Sequence, residues 1–185
     1  PKPRTRSEHP GEAGTQRSAS GTITVTSTNL PVYISNPNGS IEVTGQSGRS
    51  IDVSLDLEVS ASSRAREKEL ASAMGLKIWS ETDGYHVEVT VPRLSDPETK
   101  ILENSLVVSV PASLRIFCKN AYGDVTVSDV TGQVNAVTSY SSIDLSSCRG
   151  GAQVTNSMGS ISLSDCTGAM VVRNSYGNID LSDCN

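Results

Sequence analysis

The strongest constraint on this chain is that it repeats itself. NSMGSISLSDCTG (156–168) and NSYGNIDLSDCN (174–185) are nearly the same phrase, eighteen residues apart. From Asn120 onward the sequence divides into NAYGDVTVS, DVTGQVNAV, TSYSSIDLS, SCRGGAQVT, NSMGSISLS, DCTGAMVVR and NSYGNIDLS, nine residues each. Gly holds the fourth place in six of these seven units, and the sixth and eighth places are apolar in all of them. Odd and even units differ, so the true period is eighteen. A fixed period of this kind governs the architecture before any local propensity does.

Within one unit, apolar residues two apart, flanked by small polar ones, put one face of a short strand inward and the other outward. Gly beside Asn or Asp supplies the bend between strands. Each eighteen-residue turn then gives two short strands, and stacking the turns pairs each strand in parallel with its equivalent. One turn cannot bury its own apolar face, so only the stack is stable. The period therefore predicts an all-β fold: a parallel β-helix or β-roll-like solenoid with 18-residue coils, each built of two nonapeptide half-turns. Ile143, Ile161 and Ile179 are expected in one buried column. An aromatic content of only 4% requires a thin aliphatic core, which suits such a coil.

The register extends to SASGTITVT from Ser18, STNLPVYIS from Ser27, NPNGSIEVT from Asn36 and PASLRIFCK from Pro111. Between these blocks it lapses. GQSGRSIDVSLDLEVSA reads as a longer alternating strand, SRAREKELASAMG as a short helix with Gly at its C-terminal end, and KIWSETDGYHVEVTVP as a hairpin turning at Asp83-Gly84. The loop RLSDPETK follows, and the strand SLVVSV leads back. The expected organisation is a disordered linker over 1–17 and one solenoid domain over 18–185. Within it, a helix-hairpin insertion spans 59–100 and covers one side or end of the stack, where it supplies Trp79. Regular repeats fill 111–185. Because the last turn stops midway, the chain reads as a fragment of a longer protein.

The order of Gly-containing repeats, helix, hairpin and further repeats, with Val110-Pro111 and Leu114, Tyr122-Gly123-Asp124-Val125 and Val130-Thr131-Gly132, resembles the bacterial putative-adhesin β-helix family over roughly 18–185. The resemblance implies a surface or periplasmic location and a non-enzymatic role as adhesin or scaffold, with a cytoplasmic envelope-associated role as the alternative location. It supplies no catalytic residues.

The residues themselves lead to similar expectations. A net charge of −5 with no basic stripe argues against nucleic acid. The sequence lacks a G-x-S-x-G elbow, an H-E-x-x-H pair, a C-x-x-C motif and a P-loop, so no catalytic residue and no cofactor is expected. Calcium is not expected either: the sixth place, which carries the ligating Asp in calcium-binding nonapeptide repeats, is apolar here, and Asp144 and Asp180 fall at the seventh. Cys148, Cys166 and Cys184 recur every eighteen residues in a column begun by Val130. Small buried hydrophobes, a disulfide between turns and a thiolate metal site are all readings of that column. The outward face of the odd strands is flat and rich in hydroxyls and carboxylates, and Asp124, Asp144, Ser162 and Asp180 on it are the candidate surface for a glycan, another surface or a protein. Further expectations are a membrane anchor outside these residues, if there is one, and end-to-end self-association at the open last turn. The alternative function is a carbohydrate-processing or carbohydrate-binding module whose active residues lie elsewhere.

Overall fold

The computed structural model describes residues 14–93 and 99–185. Its elements run β1 (Thr15–Thr24), β2 (Val32–Asn36), β3 (Ser40–Gln46), β4 (Ser50–Ser60), α1 (Arg64–Ala73), β5 (Gly75–Ser80), β6 (Tyr85–Thr90) and β7 (Lys100–Pro111). Shorter strands follow: β8 (Ile116–Asn120), β9 (Val125–Ser128), β10 (Val134–Val137), β11 (Ile143–Ser146), β12 (Ala152–Met158), β13 (Ile161–Ser164), β14 (Met170–Tyr176) and β15 (Ile179–Ser182). The architecture is all-β, in two open mixed sheets. Eight strands lie in the order β1-β4-β7-β3-β9-β11-β13-β15 and seven in the order β14-β12-β10-β8-β2-β6-β5.

From β8 onward each strand joins the sheet its predecessor did not. Pairing is parallel, and the register is the sequence period: Ile143 opposes Val125 and Ile161, and Ile161 opposes Ile179. Two of the early blocks enter the same register, Val32 beside Ile116 and Ile41 beside Val125. The sixth- and eighth-place residues of both sheets meet in one aliphatic core cluster. Burial along it fails only at the last turn: Ile143 and Ile161 are fully buried, whereas Ile179 is 42% and Leu181 55% exposed.

Two kinds of corner turn the chain between sheets. At one, Asp129, Ser147, Asp165 and Asp183 take φ between 51° and 59°, a left-handed conformation that Asp tolerates better than most residues. At the other, the first-place asparagines turn inward. Asn36, Asn120 and Asn156 are buried, and the Nδ2 of Asn120 donates to the Gly39 and Gly123 carbonyls at 2.7 Å, that of Asn156 to Ser141 O at 2.8 Å. The fourth-place Gly completes this corner: Gly159 has φ 118°, and a Cβ there would lie 2.6 Å from the Ser141 carbonyl oxygen.

The middle segment caps one end of both sheets. β4 alternates as expected, burying Ile51, Val53, Leu55, Leu57 and Val59, and it pairs antiparallel with β7 and β1. β5 and β6 form the expected hairpin, Ser80 opposite Tyr85. Three expectations change. SASGTITVT is no parallel repeat unit, because β1 runs antiparallel to β4. Nor does the ordered chain begin at 18: Thr15 and Arg17 already lie in β1, where Thr15 Oγ1 donates to Glu67 at 3.0 Å and Arg17 Nη1 to the Ala71 carbonyl of α1 at 2.6 Å. The rest of the expected linker, residues 1–13, and most of the 93–100 loop lie outside the described residues. Finally, α1 is closed by Met74 in an extended conformation, and Gly75 opens β5 without acting as a left-handed cap.

Candidate functional site

In every nonapeptide the seventh residue, between the two inward ones, points out of the sheet. Across the seven-stranded sheet this outward row reads Trp79, His86, Tyr33, Phe117, Asn135, Gln153 and Val171, one residue per strand from β5 to β14. Its first four members form a continuous stack. Ring centroids are 4.8 Å apart for Trp79–His86 and 5.1 Å for both His86–Tyr33 and Tyr33–Phe117, with interplanar angles of 10°, 19° and 26°. These spacings are close to the strand separation of about 4.8 Å. Rings so close cannot lie flat side by side, so they tilt up from the sheet and overlap in offset stacks, the arrangement aromatic pairs favour.

The outer end of this row is pinned by the hairpin turn, where Glu81 N donates to Gly84 O at 2.8 Å. Trp79 Nε1 donates to Glu81 Oε1 at 3.0 Å, and His86 Nε2 lies 3.0 Å from Asp83 Oδ1. The hydrogen bond from His86 holds the Asp83 carboxyl below its ordinary value. Gly84 fits because a Cβ there would lie 2.8 Å from the Tyr33 ring. Glu81, Asp83 and His86 each offer one ligand atom, all within 4.8 Å of one another, and are the group among the described residues that could hold a cation.

A groove of about 500 Å³ runs along this row, with Ser35, Glu88, Lys119 and Val137 of the next outward row on its far side. Its lining is mainly rings and aliphatic carbon. Glu88 has Lys77 as its cross-strand neighbour. Lys119 stands between Ser35 and Val137 and forms no ion pair among the described residues. Behind the groove Cys118 is fully buried, and burial pushes its thiol up to about 12, which keeps it protonated and unreactive.

The residues singled out from sequence lie on the opposite, eight-stranded sheet. Asp144, Ser162 and Asp180 share one row with Glu42 and Thr126. Asp124 stands apart at the corner, its Oδ1 accepting from Ser142 N at 2.9 Å. Burial, and secondarily the charge of Asp124, raises the Asp144 carboxyl. The cysteine column does form, with Cys148 and Cys166 buried and Cys184 partly so, and all three are free thiols. Each donates to the carbonyl two residues back, Cys148 to Ser146 O at 3.4 Å and Cys166 to Ser164 O at 3.3 Å. Burial pushes the Cys148 thiol up to about 11. This is the behaviour of small buried hydrophobes, not of thiolate ligands.

Sequence reading missed the aromatic row because only two of its four rings lie in repeat units. Tyr33 and Phe117 at the seventh place of their nonapeptides were the available signal. Trp79 and His86 reach the row only through the hairpin, whose register the period does not specify. A second outward stack runs along one corner, Tyr122 on Tyr140 at 4.9 Å and 5°, with Met158 and Tyr176 paired in register beyond them.

Among the described residues no helix is long and apolar enough to cross a membrane. No protein-family model and no curated protein matches the chain. Solved structures do resemble it. A "putative adhesin" from Bacteroides fragilis is 7% identical, with 93% of this chain and 100% of that one covered and a TM-score of 0.37. A "putative adhesin" from Parabacteroides merdae is 6% identical, with 91% and 95% covered and a TM-score of 0.30. The likeness that carries weight is to a "putative cell adhesion protein" from Clostridium sporogenes, 9% identical, covering 91% of this chain and all of that one with a TM-score of 0.61: the two share a fold.

Proposed function

We propose that this chain is a non-enzymatic β-solenoid of the cell envelope or cell surface, an adhesin-type scaffold that holds its ligand in the aromatic-walled groove. The solenoid reading is supported by the eighteen-residue parallel register and by the alternation of successive strands between the two sheets. The binding reading rests on one observation: four stacked rings stand on the outward face of a protein whose buried core is aliphatic apart from Tyr85 and a few sulfur-containing side chains. Rings there add little to the core, whereas aromatic side chains in a concave, mostly apolar site are common ligand contacts. The extracytoplasmic placement follows from the adhesin-type reading, and the shared fold with a protein described as adhesive agrees with it. The hydroxyl-and-carboxylate row on the other sheet then serves as a solvated back.

A second reading keeps the same groove and changes its employer: a carbohydrate-binding module of a carbohydrate-processing protein. The amides of Asn135 and Gln153, in line with the rings, favour it, since sugars take both stacking and amide hydrogen bonds. In either case the test is binding of the purified chain to immobilised polysaccharides and to whole bacterial cells. Tyr33→Ser combined with Phe117→Ala should lower binding at least about tenfold, the scale of an aromatic hot spot, while the melting temperature changes little. Binding that survives the double substitution at full strength would exclude the groove.

A further inference from the structure

The aromatic row stops at a definite place. Phe117 stacks on Tyr33 on one side, and the next residue in the row is Asn135, too small to continue the stack. At this step the groove is lined by Phe117, Asn135, Val137 and Lys119. The row then continues as amide, Asn135 followed by Gln153, while the neighbouring row continues from Val137 to Thr155. One side of the Phe117 ring thus has no stacked ring among the described residues, beside a track of hydrogen-bonding groups. A ligand completing this arrangement has a flat carbon face for Phe117 and several hydroxyls for Asn135 and Gln153, and a pyranose ring has both.

The charge at the step narrows the choice. Glu88, the one carboxylate among the groove's lining residues, is opposed by Lys77 on the edge strand. Lys119 is separated from Glu88 by Ser35 and has Val137 on its other side. Lys119 is therefore the cation lining the Phe117 end of the groove, without an ion pair among the described residues, in a molecule whose net charge is −5; Arg173 follows on the same row two strands beyond Val137. A neutral sugar leaves the Lys119 charge unused; an acidic one uses it. We propose that the bare face of Phe117 is a subsite for an anionic sugar residue, a uronate of an acidic polysaccharide. Its ring continues the aromatic stack above Asn135, and its carboxylate pairs with Lys119.

This inference rests on the groove being the binding surface, and calorimetry can separate the two ideas. The whole chain is titrated with the trimer of galacturonic acid and with the neutral galactose trimer. The acidic trimer should bind more tightly by about three- to fivefold, the range of one exposed ion pair, and the difference should shrink as salt rises. Lys119→Gln should bring the acidic trimer down to the affinity of the neutral one, and Lys119→Arg should keep the preference. Phe117→Ala should weaken both trimers, whereas Phe117→Tyr should weaken neither. Equal affinity for the two trimers, or a preference that survives Lys119→Gln, overturns the acidic subsite; loss of both trimers in Phe117→Ala would then still leave the groove as the binding surface. Binding of neither trimer to the unaltered chain also overturns the subsite. The groove reading falls with it only if cell and polysaccharide binding is indifferent to the Tyr33/Phe117 double substitution.

Discussion

Single residues do their most specific work at the inward asparagines. Asn156 is buried; its Nδ2 holds the Ser141 carbonyl of the preceding turn, and its Oδ1 accepts from Ser157 N at 2.8 Å. Removing the amide strands two backbone groups, so Asn156→Ala should cost roughly 1–3 kcal/mol in chemical denaturation. The reverse experiment exists within the same column. Thr138 stands where the neighbouring turns have Asn120 and Asn156, and its buried hydroxyl has no hydrogen-bond partner. Asn156 and Asn174 each reach the fourth-place carbonyl of the turn before, so Asn at 138 is placed to reach Gly123 O. Thr138→Asn should stabilise the protein by about 0.5–1.5 kcal/mol; a lower denaturation midpoint would show that the column tolerates no amide there. The periodic Asn was legible in sequence as a bend residue. Its burial was not, because a polar residue at a corner looks the same whether it faces water or a carbonyl.

At the scale of elements, the helix and the first strand stabilise each other. α1 has no basic residue in its last turn. Arg17 of β1 takes that place, donating to Ala71 O at 2.6 Å and Met74 O at 3.0 Å. A cation on free C-terminal carbonyls is favourable, so Arg17→Ala should destabilise by about 1–2 kcal/mol and speed amide exchange through Leu70–Met74. If exchange there is unchanged, the clamp is incidental. Further along the same ribbon, Asp52 accepts from Gln46 Nε2 at 2.9 Å, Ser50 Oγ at 2.8 Å and Thr22 Oγ1 at 2.9 Å, which hold its carboxyl below the ordinary 3.8. A depressed carboxyl contributes stability that is complete above its unfolded value and disappears as pH falls through the folded one. Melting temperatures should therefore show an Asp52-dependent loss only below about pH 4, absent in Asp52→Asn, which should itself be less stable at neutral pH. Helix, hairpin and long strand were each legible from propensity and alternation. The antiparallel placement of β1 was not, because its apolar alternation fits either direction of pairing, and the cross-strand bonds that accompany the antiparallel register, Ser18 Oγ to Asp56 at 2.6 Å and Thr22 Oγ1 to Asp52 at 2.9 Å, join residues 38 and 30 apart in sequence.

For the molecule as a whole, the period specified more than composition or motif could, since a register repeated over several turns leaves one way to stack them. What it could not specify is the groove proposed as the binding surface, which takes Tyr33 and Phe117 from repeat units but Trp79 and His86 from the hairpin, whose register the period does not set. The same one-dimensional logic makes a prediction about stability. In a stack, each turn is held by its neighbours on both sides. Leu145 has turns above and below it and is 1% exposed, whereas Leu181 has a neighbour on one side and is 55% exposed. Among the described residues β15 pairs on its β13 side alone, and open strand edges recruit other strands unless Pro or charge blocks them. The polypeptide of residues 1–185 should therefore either fray at β15 or associate through that end as its concentration rises. Hydrogen exchange should be slowest around Ile143–Leu145 and fastest around Ile179–Leu181, with protection of the latter increasing with concentration where association occurs. Thiol labelling should follow the same gradient, reaching Cys184 well before Cys148 or Cys166. A strictly monomeric polypeptide whose Ile179–Leu181 amides exchange as slowly as those of Ile143–Leu145 would refute the prediction, because the last turn would then be as stable with one neighbour as the central turns are with two.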